Sequence, residues 1–528
     1  MSCNVSDLLR PQLDGSGMDL FDAHAVRDAW RNRREPKGRT PCHFYLHVPF
    51  CKQRCFYCCY YSVASSGGNE VDRYLDSSRR AMAFFAPAFA RRPFQTLYIG
   101  GGTPSILTPG QLRTLLSNLL ENYEFDADGQ KTVECSPFSL TREKLDVLRR
   151  FGINRISMGV QSLNRATLSS ENRGYQEPSV VERAVRLIRE AGDFYLNLDL
   201  LLGMRADEGK SFMNSFGHVM RLDPDKLTVN IIYPQRGYLD KYYSGQPALF
   251  RAHLFEKFGA VPKAIGATDL GRLRFTKRDP TLGDDAWSFH RTPPRFRRAG
   301  FPHGYQDFSS DPVSVFGLGP SARSRAAGAL IYKQEERLDA PFDPRRSAYR
   351  GRRLSSRDEM VKYLVIRICD GARISPERFR DAFGVRIETA FPKEVAVLRQ
   401  EGRLTSSGNR LAFRLRSAED RDRGASLFAA PPGLTLETAA GRWRLNVEPR
   451  RDDVAYFAET GALGLRLAAD GDPWPKQRSQ RIARIAAALF RKSARGAPTS
   501  AISDVERAYA ALLADVASRL GATLRCNR

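Results

Sequence analysis

The sequence lacks any apolar run long enough to cross a membrane, and its first residues lack the charged-then-apolar pattern of a secretory signal. Cysteine is scarce, odd in number and unevenly spaced, with nine in 528 residues. A framework of extracellular disulfides is therefore excluded, and a reducing, cytoplasmic location is predicted, without a membrane partner.

Acidic residues are also in short supply. Asp and Glu number 59 against 83 Lys and Arg, which gives a formal net charge of +24. Such a charge could bind nucleic acid, an acidic carrier or a substrate with carboxylates or phosphates. The excess is mostly arginine, as a GC-rich genome would give without any function, and no recognisable nucleic-acid module accompanies it. Nucleic acid is therefore not expected as the partner.

Three of the nine cysteines stand close together. Cys51, Cys55 and Cys58 have the spacing C-x3-C-x2-C and follow the apolar run that begins at His43. Cysteine thiolates are the usual ligands of iron–sulfur clusters, and three of them can hold three irons of a four-iron cluster and leave the fourth open. A zinc site that includes His47, or unrelated buried cysteines, are the alternatives.

An aromatic residue, Tyr57, precedes the third cysteine, and further motifs lie downstream. The whole pattern resembles the radical S-adenosylmethionine (SAM) enzymes, and within them the oxygen-independent coproporphyrinogen III oxidase group. That group includes the anaerobic haem-synthesis oxidase, haem-chaperone relatives and a class of radical SAM methylases. The resemblance implies two cofactors, a [4Fe–4S] cluster and SAM. The segments that carry it are Tyr45-Leu-His-Val-Pro-Phe-Cys51, Gly100-Gly-Gly-Thr-Pro-Ser105, Asn154-Arg-Ile-Ser-Met-Gly-Val-Gln-Ser162 and Asn197-Leu-Asp-Leu200.

Short apolar runs alternate with helical stripes over the first half of the chain, which predicts an α/β fold with a parallel sheet. Thr108, Pro109 and Gln111 give one of the helices a capping box at its start. Six such units are too few for a closed eight-stranded barrel, and the resemblance implies a partial (β/α)6 radical SAM barrel. The predicted strands are Phe44–Val48, Thr96–Ile99, Thr132–Glu134, Arg155–Met158, Tyr195–Leu201 and Leu227–Ile232.

The predicted domain organisation has five parts. The barrel is followed by a small winged-helix-like α+β domain and by a helical C-terminal extension of unknown role. The strand and turn from Val313 to Ala322 resemble the family's segment after the barrel. The predicted parts are a loosely docked N-terminal arm at 1–40, the barrel at 41–235, a barrel extension and linker at 236–354, the winged-helix-like domain at 355–415 and the extension at 416–528.

Several residues acquire roles through the resemblance. Cys51, Cys55 and Cys58 are implied as cluster ligands, while Cys59 is interpreted as a small residue near the site. The haem-synthesis oxidase carries a further cysteine where Tyr60 stands here. A salt bridge between Glu134 and Arg173 is a structural alternative to their binding role. The residues implied to bind SAM are Tyr45, Tyr57, Gly100, Gly101, Gly102, Thr103, Glu134, Gln161, Arg173 and Asp199.

The predicted function is a radical SAM enzyme that modifies a cyclic or aromatic small molecule, with a reductase such as flavodoxin or ferredoxin as electron donor. The first candidate reaction is methylation by an enzyme that binds two SAM molecules. The alternatives are oxidative decarboxylation of coproporphyrinogen III, whose propionates would suit the Arg-rich stretch 291–298, and haem binding through His303. The chaperone signature that would support haem binding is otherwise missing after His303.

Overall fold

The computed structural model describes most of the first 430 residues and short segments beyond them. No helix among these residues combines the length and apolarity needed to cross a bilayer. The described ranges are 19–33, 41–65, 68–90, 92–233, 235–278, 286–292, 312–339, 341–369, 374–407, 410–415, 417–429, 434–438, 441–445 and 523–526.

The described residues form two compact units, and the larger comprises Phe21–Ala329 together with Lys333–Tyr349. This unit includes the predicted barrel and most of the predicted barrel extension at 236–354. The finer domain boundaries stay predictions. The strands up to residue 353 are β1 (Asp19–Phe21), β2 (Cys42–Val48), β3 (Phe50–Cys51), β4 (Val63–Ala64), β5 (Thr96–Gly101), β6 (Lys131–Cys135), β7 (Arg155–Gln161), β8 (Tyr195–Leu202), β9 (Lys226–Ile231), β10 (Phe275–Arg278), β11 (Ala286–Arg291), β12 (Ser314–Leu318), β13 (Arg323–Ala326), β14 (Leu330–Gln334) and β15 (Tyr349–Arg353).

The helices of the larger unit lie between these strands. Short 3-10 turns follow three elements, at Ala86–Ala88, Pro104–Ile106 and Pro137–Ser139. The helices are α1 (Ala23–Asn32), α2 (Asn69–Phe85), α3 (Pro109–Asn122), α4 (Arg142–Arg150), α5 (Arg165–Ser170), α6 (Pro178–Ala191), α7 (Gly209–Arg221), α8 (Arg236–Tyr243), α9 (Pro247–Phe258) and α10 (Val261–Gly266).

The sheet of this unit confirms the predicted α/β fold. Strands β2, β5, β6, β7, β8 and β9 are adjacent in that order and parallel, with a helix in each connection, so the six predicted strands form the partial barrel. Helix α3 begins with the predicted capping box of Thr108 and Gln111.

The sheet also contains strands that the periodicity did not predict. Strand β12 pairs in parallel with β2, so β2 is an interior strand. At the other end β11 pairs antiparallel with β9, and β10 pairs antiparallel with β11. The region from 236 to 310, which reads as irregular in sequence, therefore contributes two strands to the main sheet.

Aromatic residues fill the space under the β12–β2 edge. The ring of Phe316 on β12 lies 5.3 Å from Phe44, 4.6 Å from Phe89 and 5.6 Å from Trp30, measured between centroids. Trp30 belongs to α1 and is fully buried. The described part of the N-terminal segment is thus packed, and the prediction of a loosely docked arm is wrong for α1. Burial of each such ring contributes about 2 kcal/mol.

The smaller unit consists mainly of the described residues after 350. Leu364 and Ile368 lie buried on one face of its first helix, as their spacing predicts. Helices followed by a β-hairpin form the winged-helix-like pattern. Most of the extension predicted at 416–528 lies outside the described residues. The elements are α11 (Ser356–Cys369), α12 (Pro376–Phe383), α13 (Ile387–Ala390), α14 (Pro392–Gln400), the hairpin β16 (Leu404–Ser407) and β17 (Arg410–Phe413), α15 (Ala418–Ala429), and a sheet of β18 (Leu434–Thr438), β19 (Gly441–Leu445) and β20 (Thr523–Cys526).

One buried histidine makes the fold acid-sensitive. His43 on β2 is 5% exposed and shares a 2.8 Å hydrogen bond with the hydroxyl of Thr96. Burial lowers its pKa from 6.5 to about 4, so the unfolded chain binds its proton at a higher pH than the folded chain does. The stability that the neutral ring contributes is present above pH 6.5 and is lost as the pH falls toward 4.

We expect His43→Gln, which keeps a hydrogen-bonding side chain, to remove this part of the acid sensitivity. Between pH 7 and pH 5 the free energy of unfolding should fall by about 2 kcal/mol more in the wild type than in the variant. Urea unfolding of both proteins at the two pH values measures the difference. His218→Gln, at a half-buried surface pair with Glu182, is the control. Equal losses in wild type and His43→Gln would contradict the assignment.

Candidate active site

The cysteine motif lies at the carboxyl ends of the parallel strands, where active residues of α/β barrels lie. Strand β2 ends at Val48, and the short strand β3 then carries Phe50 and Cys51. The amide of Gly102 donates to the carbonyl of Val48 (2.8 Å), and the amide of Thr103 donates to that of Phe50 (2.7 Å). The cysteine loop therefore starts in direct contact with the glycine-rich turn after β5.

The three predicted ligands share one electrostatic environment. Burial raises the pKa of Cys51, and burial together with the charges of Cys59, Cys51 and Cys55 raises that of Cys58 to about 12. The amide of Cys58 donates to the carbonyl of Cys55 (3.2 Å), which closes a tight turn between them. Neighbouring thiols that resist ionisation alone become good ligands when a cationic centre compensates their charge.

The donor set fits an iron–sulfur cluster. Among the described residues, no three His, Cys, Asp or Glu side chains surround a single-ion site. Three thiolates on one loop are the donors that a four-iron cluster takes, one for each of three irons. His47, considered as a zinc ligand, has both ring nitrogens engaged: Nε2–H donates to the carbonyl of Tyr61 (2.9 Å) and Nδ1 accepts from the hydroxyl of Tyr45 (3.0 Å).

The three glycines of the turn, Gly100–Gly102, have no room for a side chain. Gly101 has φ +110°, and a Cβ there would lie 2.6 Å from Cε1 of His47. A Cβ on Gly102 would lie 2.7 Å from the carbonyl oxygen of Phe50. Thr103 places its hydroxyl 3.5 Å from the sulfur of Cys51. Glycine at these positions brings the backbone against the cysteine loop, and leaves backbone groups accessible to a ligand.

Glu134, at the end of β6, faces the same turn. Its carboxylate accepts from the hydroxyl of Tyr98 (2.6 Å) and from the amide of Gly101 (3.1 Å). Burial raises the pKa of Glu134, and these hydrogen bonds only partly oppose it. A bound ammonium group would favour the charged carboxylate and reverse that shift, so the site suits the amine of SAM. Tyr45 lies stacked on Tyr98, with 6.1 Å between ring centroids.

Asp199 lies within β8, opposite Gly159 of the neighbouring strand β7, and Gln161 is the last residue of β7. Asp199 accepts from the hydroxyl of Ser157 (3.0 Å) and from the amide of Asn197 (2.9 Å), and burial raises its pKa. The β7–β8 register shifts between Gly159 and Gln161, and Gln161 has φ +68°. An irregularity of this kind re-aims a side chain at a strand end, as ligand sites often need.

Arg173 joins the strand ends to the cysteine loop. Its guanidinium donates to the carbonyl of Gly159 (2.6 Å), to the amide oxygen of Gln176 (3.2 Å) and toward the sulfur of Cys55 (3.7 Å). Glu134 and Arg173 thus have other partners, and the salt bridge considered between them does not form. Burial alone would lower the pKa of Arg173, but the neighbouring Tyr57, Tyr175 and Cys55 raise it.

Tyr57, inside the cysteine loop, packs on an apolar cluster at the ends of β8 and β9 that includes Leu201, Met204 and Ile232. Burial raises the pKa of its hydroxyl well above the ordinary value. The structure therefore brings all the predicted site residues to one end of the barrel. Their roles as ligands of the cluster and of SAM stay predictions.

Cys59 differs from its neighbour Cys58. Cys59 is exposed as a residue, but partial burial of its thiol raises its pKa. The nearby charge that acts on this pKa is that of Arg323, which lowers it, and not that of Cys51 or Cys55. Tyr60 beside it is 62% exposed.

Sequence reasoning missed the residues that hold the cysteine loop in place. The amide group of Asn172 donates to the carbonyl of Arg54 (2.9 Å), and the amide of Phe56 donates to the carbonyl of Glu171 (3.3 Å). The side chain of Gln235 donates to the carbonyl of Cys58. Hydrogen bonds between positions more than a hundred residues apart leave no local signal; only the proximity of Asn172 to Arg173 could have suggested one of them.

The Arg-rich stretch 291–298 is described only at its start. Arg291 pairs with Asp223, and its amide donates to the carbonyl of Asp225 (3.0 Å). Arg291 is therefore a structural residue of the β11 edge, which corrects its expected part in binding propionates. Residues 293–298 and His303 lie outside the described residues.

The chain is similar in sequence to known proteins. Residues 45–215 match the model of the radical SAM superfamily. The oxygen-independent coproporphyrinogen III oxidase of Escherichia coli is 34% identical over 189 residues, which are 36% of this chain and 41% of that protein. The enzyme of the same name from Salmonella typhimurium is 28% identical over 381 residues, 68% of this chain and 78% of that protein.

A solved structure extends the similarity to the fold. The structure of coproporphyrinogen III oxidase from Escherichia coli, described as a radical SAM enzyme, superposes with a TM-score of 0.58 at 22% identity. The superposition covers 78% of this chain and 93% of the solved one.

Proposed function

Because the chain belongs to the radical SAM superfamily, in the group of oxygen-independent coproporphyrinogen III oxidases and their relatives, we propose that it oxidatively decarboxylates a porphyrinogen that bears propionate side chains. The observation that carries the proposal is the match to the Salmonella enzyme, which spans 78% of that protein and continues well beyond the barrel. The relatives favour this reading over the two-SAM methylase that the sequence placed first.

The cofactors are a [4Fe–4S] cluster and SAM, and when bound they supply a carbon radical able to remove a hydrogen atom from an unactivated C–H bond. In our proposal Cys51, Cys55 and Cys58 hold the cluster. Glu134 and the carbonyls of the glycine turn accept hydrogen bonds from the amine of SAM, and Asp199 with Gln161 binds its ribose hydroxyls.

Arg173 has a positioning role in this proposal. Its guanidinium is buried between the carbonyl of Gly159 and the sulfur of Cys55, where it fixes the loop against the strand ends and favours a nearby carboxylate. Tyr57 shields the loop from water on the side of Leu201 and Met204.

The test is anaerobic reconstitution with iron and sulfide, followed by dithionite, SAM and coproporphyrinogen III, with mass spectrometry of the products. We expect 5′-deoxyadenosine, methionine, carbon dioxide and a porphyrinogen that has lost carboxyl groups, without S-adenosylhomocysteine. S-adenosylhomocysteine together with a methylated product would overturn the proposal in favour of a methylase. Tight haem binding without SAM cleavage would overturn it in favour of a haem carrier.

A further inference from the structure

The outer face of the cysteine loop is basic and partly aromatic. Lys52, Arg54 and Phe56 are all exposed, Phe56 by 38%, whereas Cys55 between the last two is buried. Lys241 on α8 places its ammonium group 3.8 Å from the centroid of the Phe56 ring. Lys52, Arg54, Phe56 and Lys241 are called the loop face below.

The acidic side chains near the loop face do not neutralise all of it. Asp240, next to Lys241 in sequence, lies 3.8 Å from Arg236. Glu171 is fully buried, accepts a hydrogen bond from the hydroxyl of Tyr238 (2.8 Å) and interacts electrostatically with Lys241. Among the described residues, neither Lys52 nor Arg54 forms a salt bridge with a carboxylate. The loop face therefore has a positive potential that reaches into solvent.

The loop face is also held rigidly. Asn172, Glu171 and Gln235 hold the backbone of residues 54, 56 and 58, as described above. The ammonium nitrogen of Lys52 lies 4.9 Å from the ring centroids of both Phe138 and Tyr175. A preformed surface loses little conformational entropy on binding, so even a small interface can be effective.

We propose that the loop face is the docking surface for a small acidic electron carrier with a flavin. Phe56 is covalently next to Cys55, so a flavin edge against this ring would lie one residue from a predicted cluster ligand. Electron-transfer encounters bury little area and depend on charge complementarity, which this surface provides. The carrier's flavin hydroquinone gives up one electron and becomes a semiquinone, and the oxidised cluster takes up that electron. This inference rests on the proposed function.

The test is charge reversal in the reconstituted protein. Arg54→Glu with Lys241→Glu is compared with Arg183→Glu with Arg186→Glu, two exposed arginines on the outer helix α6 that give the same change of net charge. The probe is flavodoxin. Calorimetry with its oxidised form measures binding, and stopped-flow absorbance with its hydroquinone form measures cluster reduction.

We expect the loop-face variant to bind flavodoxin about tenfold more weakly at low salt and to be reduced about tenfold more slowly, because steering by opposite charge is lost. Salt should slow reduction of the wild type but hardly affect the variant. The α6 variant should match the wild type within about twofold, and dithionite should reduce all three proteins alike.

The opposite outcomes are distinguishable. Equal flavodoxin affinity in the loop-face and α6 variants would overturn the docking surface, as would RNA binding lost in the loop-face variant with reduction by flavodoxin unchanged. Arg54→Gln with Lys241→Gln, which should show a smaller effect of the same sign, guards against a folding defect in the double glutamate variant. Absence of SAM cleavage in dithionite-reduced wild type would count against the proposed function, while the binding comparison still tests the surface.

Discussion

Alanine in place of Cys58 is expected to abolish the iron–sulfur cluster, whereas alanine in place of Cys59, its immediate neighbour, should leave the cluster intact. The two thiols are adjacent in sequence but not in environment. Cys58 is half-buried and Cys59 is exposed. The charges of Cys51 and Cys55, together with that of Cys59, raise the pKa of Cys58, whereas the charge that acts on the pKa of Cys59 is that of Arg323. Adjacent side chains of an extended segment diverge, so both thiols cannot easily serve one cluster.

The measurement is the iron and sulfide content of each variant after anaerobic reconstitution, together with its visible absorption and the electron paramagnetic resonance signal after reduction. Cys58→Ala should hold less than a tenth or so of the wild-type cluster, because two thiolates leave a second iron without a protein ligand. Cys59→Ala should reach the wild-type content and cleave SAM at about the same rate. A full cluster in Cys58→Ala, or its loss in Cys59→Ala, would reverse the ligand assignment.

Alanine at Gly101 is expected to destabilise the protein by roughly 4 kcal/mol and to prevent SAM cleavage. The backbone there has φ +110°, which costs an L-residue about 1–3 kcal/mol. The new methyl group would also lie 2.6 Å from the buried ring of His47, which Tyr45 and Tyr61 hold in place, and overpacking of this kind costs about 1–3 kcal/mol more. Because the Gly101 amide donates to Glu134, any shift of the turn also displaces the proposed amine site.

Gly110 provides the matched control. It lies in the first turn of α3, and a Cβ there would meet nothing closer than the Thr108 hydroxyl at 4.0 Å. Gly110→Ala should be neutral or stabilising by up to about 1 kcal/mol, since alanine favours helix over glycine. Urea unfolding of the cluster-free proteins and SAM cleavage of the reconstituted proteins test the pair. Equal stability of the two variants would mean that the turn relaxes more freely than its contacts indicate.

The sequence predicts the barrel strands well because each of them is a short apolar run next to a helical stripe. Strands β5 and β8 are buried along most of their length, and such runs stand out in any window. Strand β11 does not stand out. It contains Trp287, Ser288 and His290 in an Arg- and Pro-rich region, and its antiparallel pairing with β9 and β10 makes it a strand. Tertiary pairing of this kind is invisible to local periodicity.

The sequence likewise predicts some features of the candidate site and not others. Cysteine spacing and the glycine turn are local patterns, so they could be found from the sequence and by resemblance. The role of Tyr98 could not, because it reads as one more aromatic residue of a buried strand, yet its hydroxyl orients Glu134. The contacts of Arg173 with Gly159 and Cys55 likewise depend on how three separate segments meet.

The pairing of β12 with β2 has a consequence for synthesis on the ribosome. Strand β2 emerges early, but its partner β12 begins about 270 residues later. Until then one edge of β2, with the aromatic surface that Phe316 later covers, has no partner in this sheet and can pair with other chains. A fragment that ends near residue 235 would keep this edge permanently. Such a fragment should aggregate on expression, while one that extends past β15 should stay dispersed.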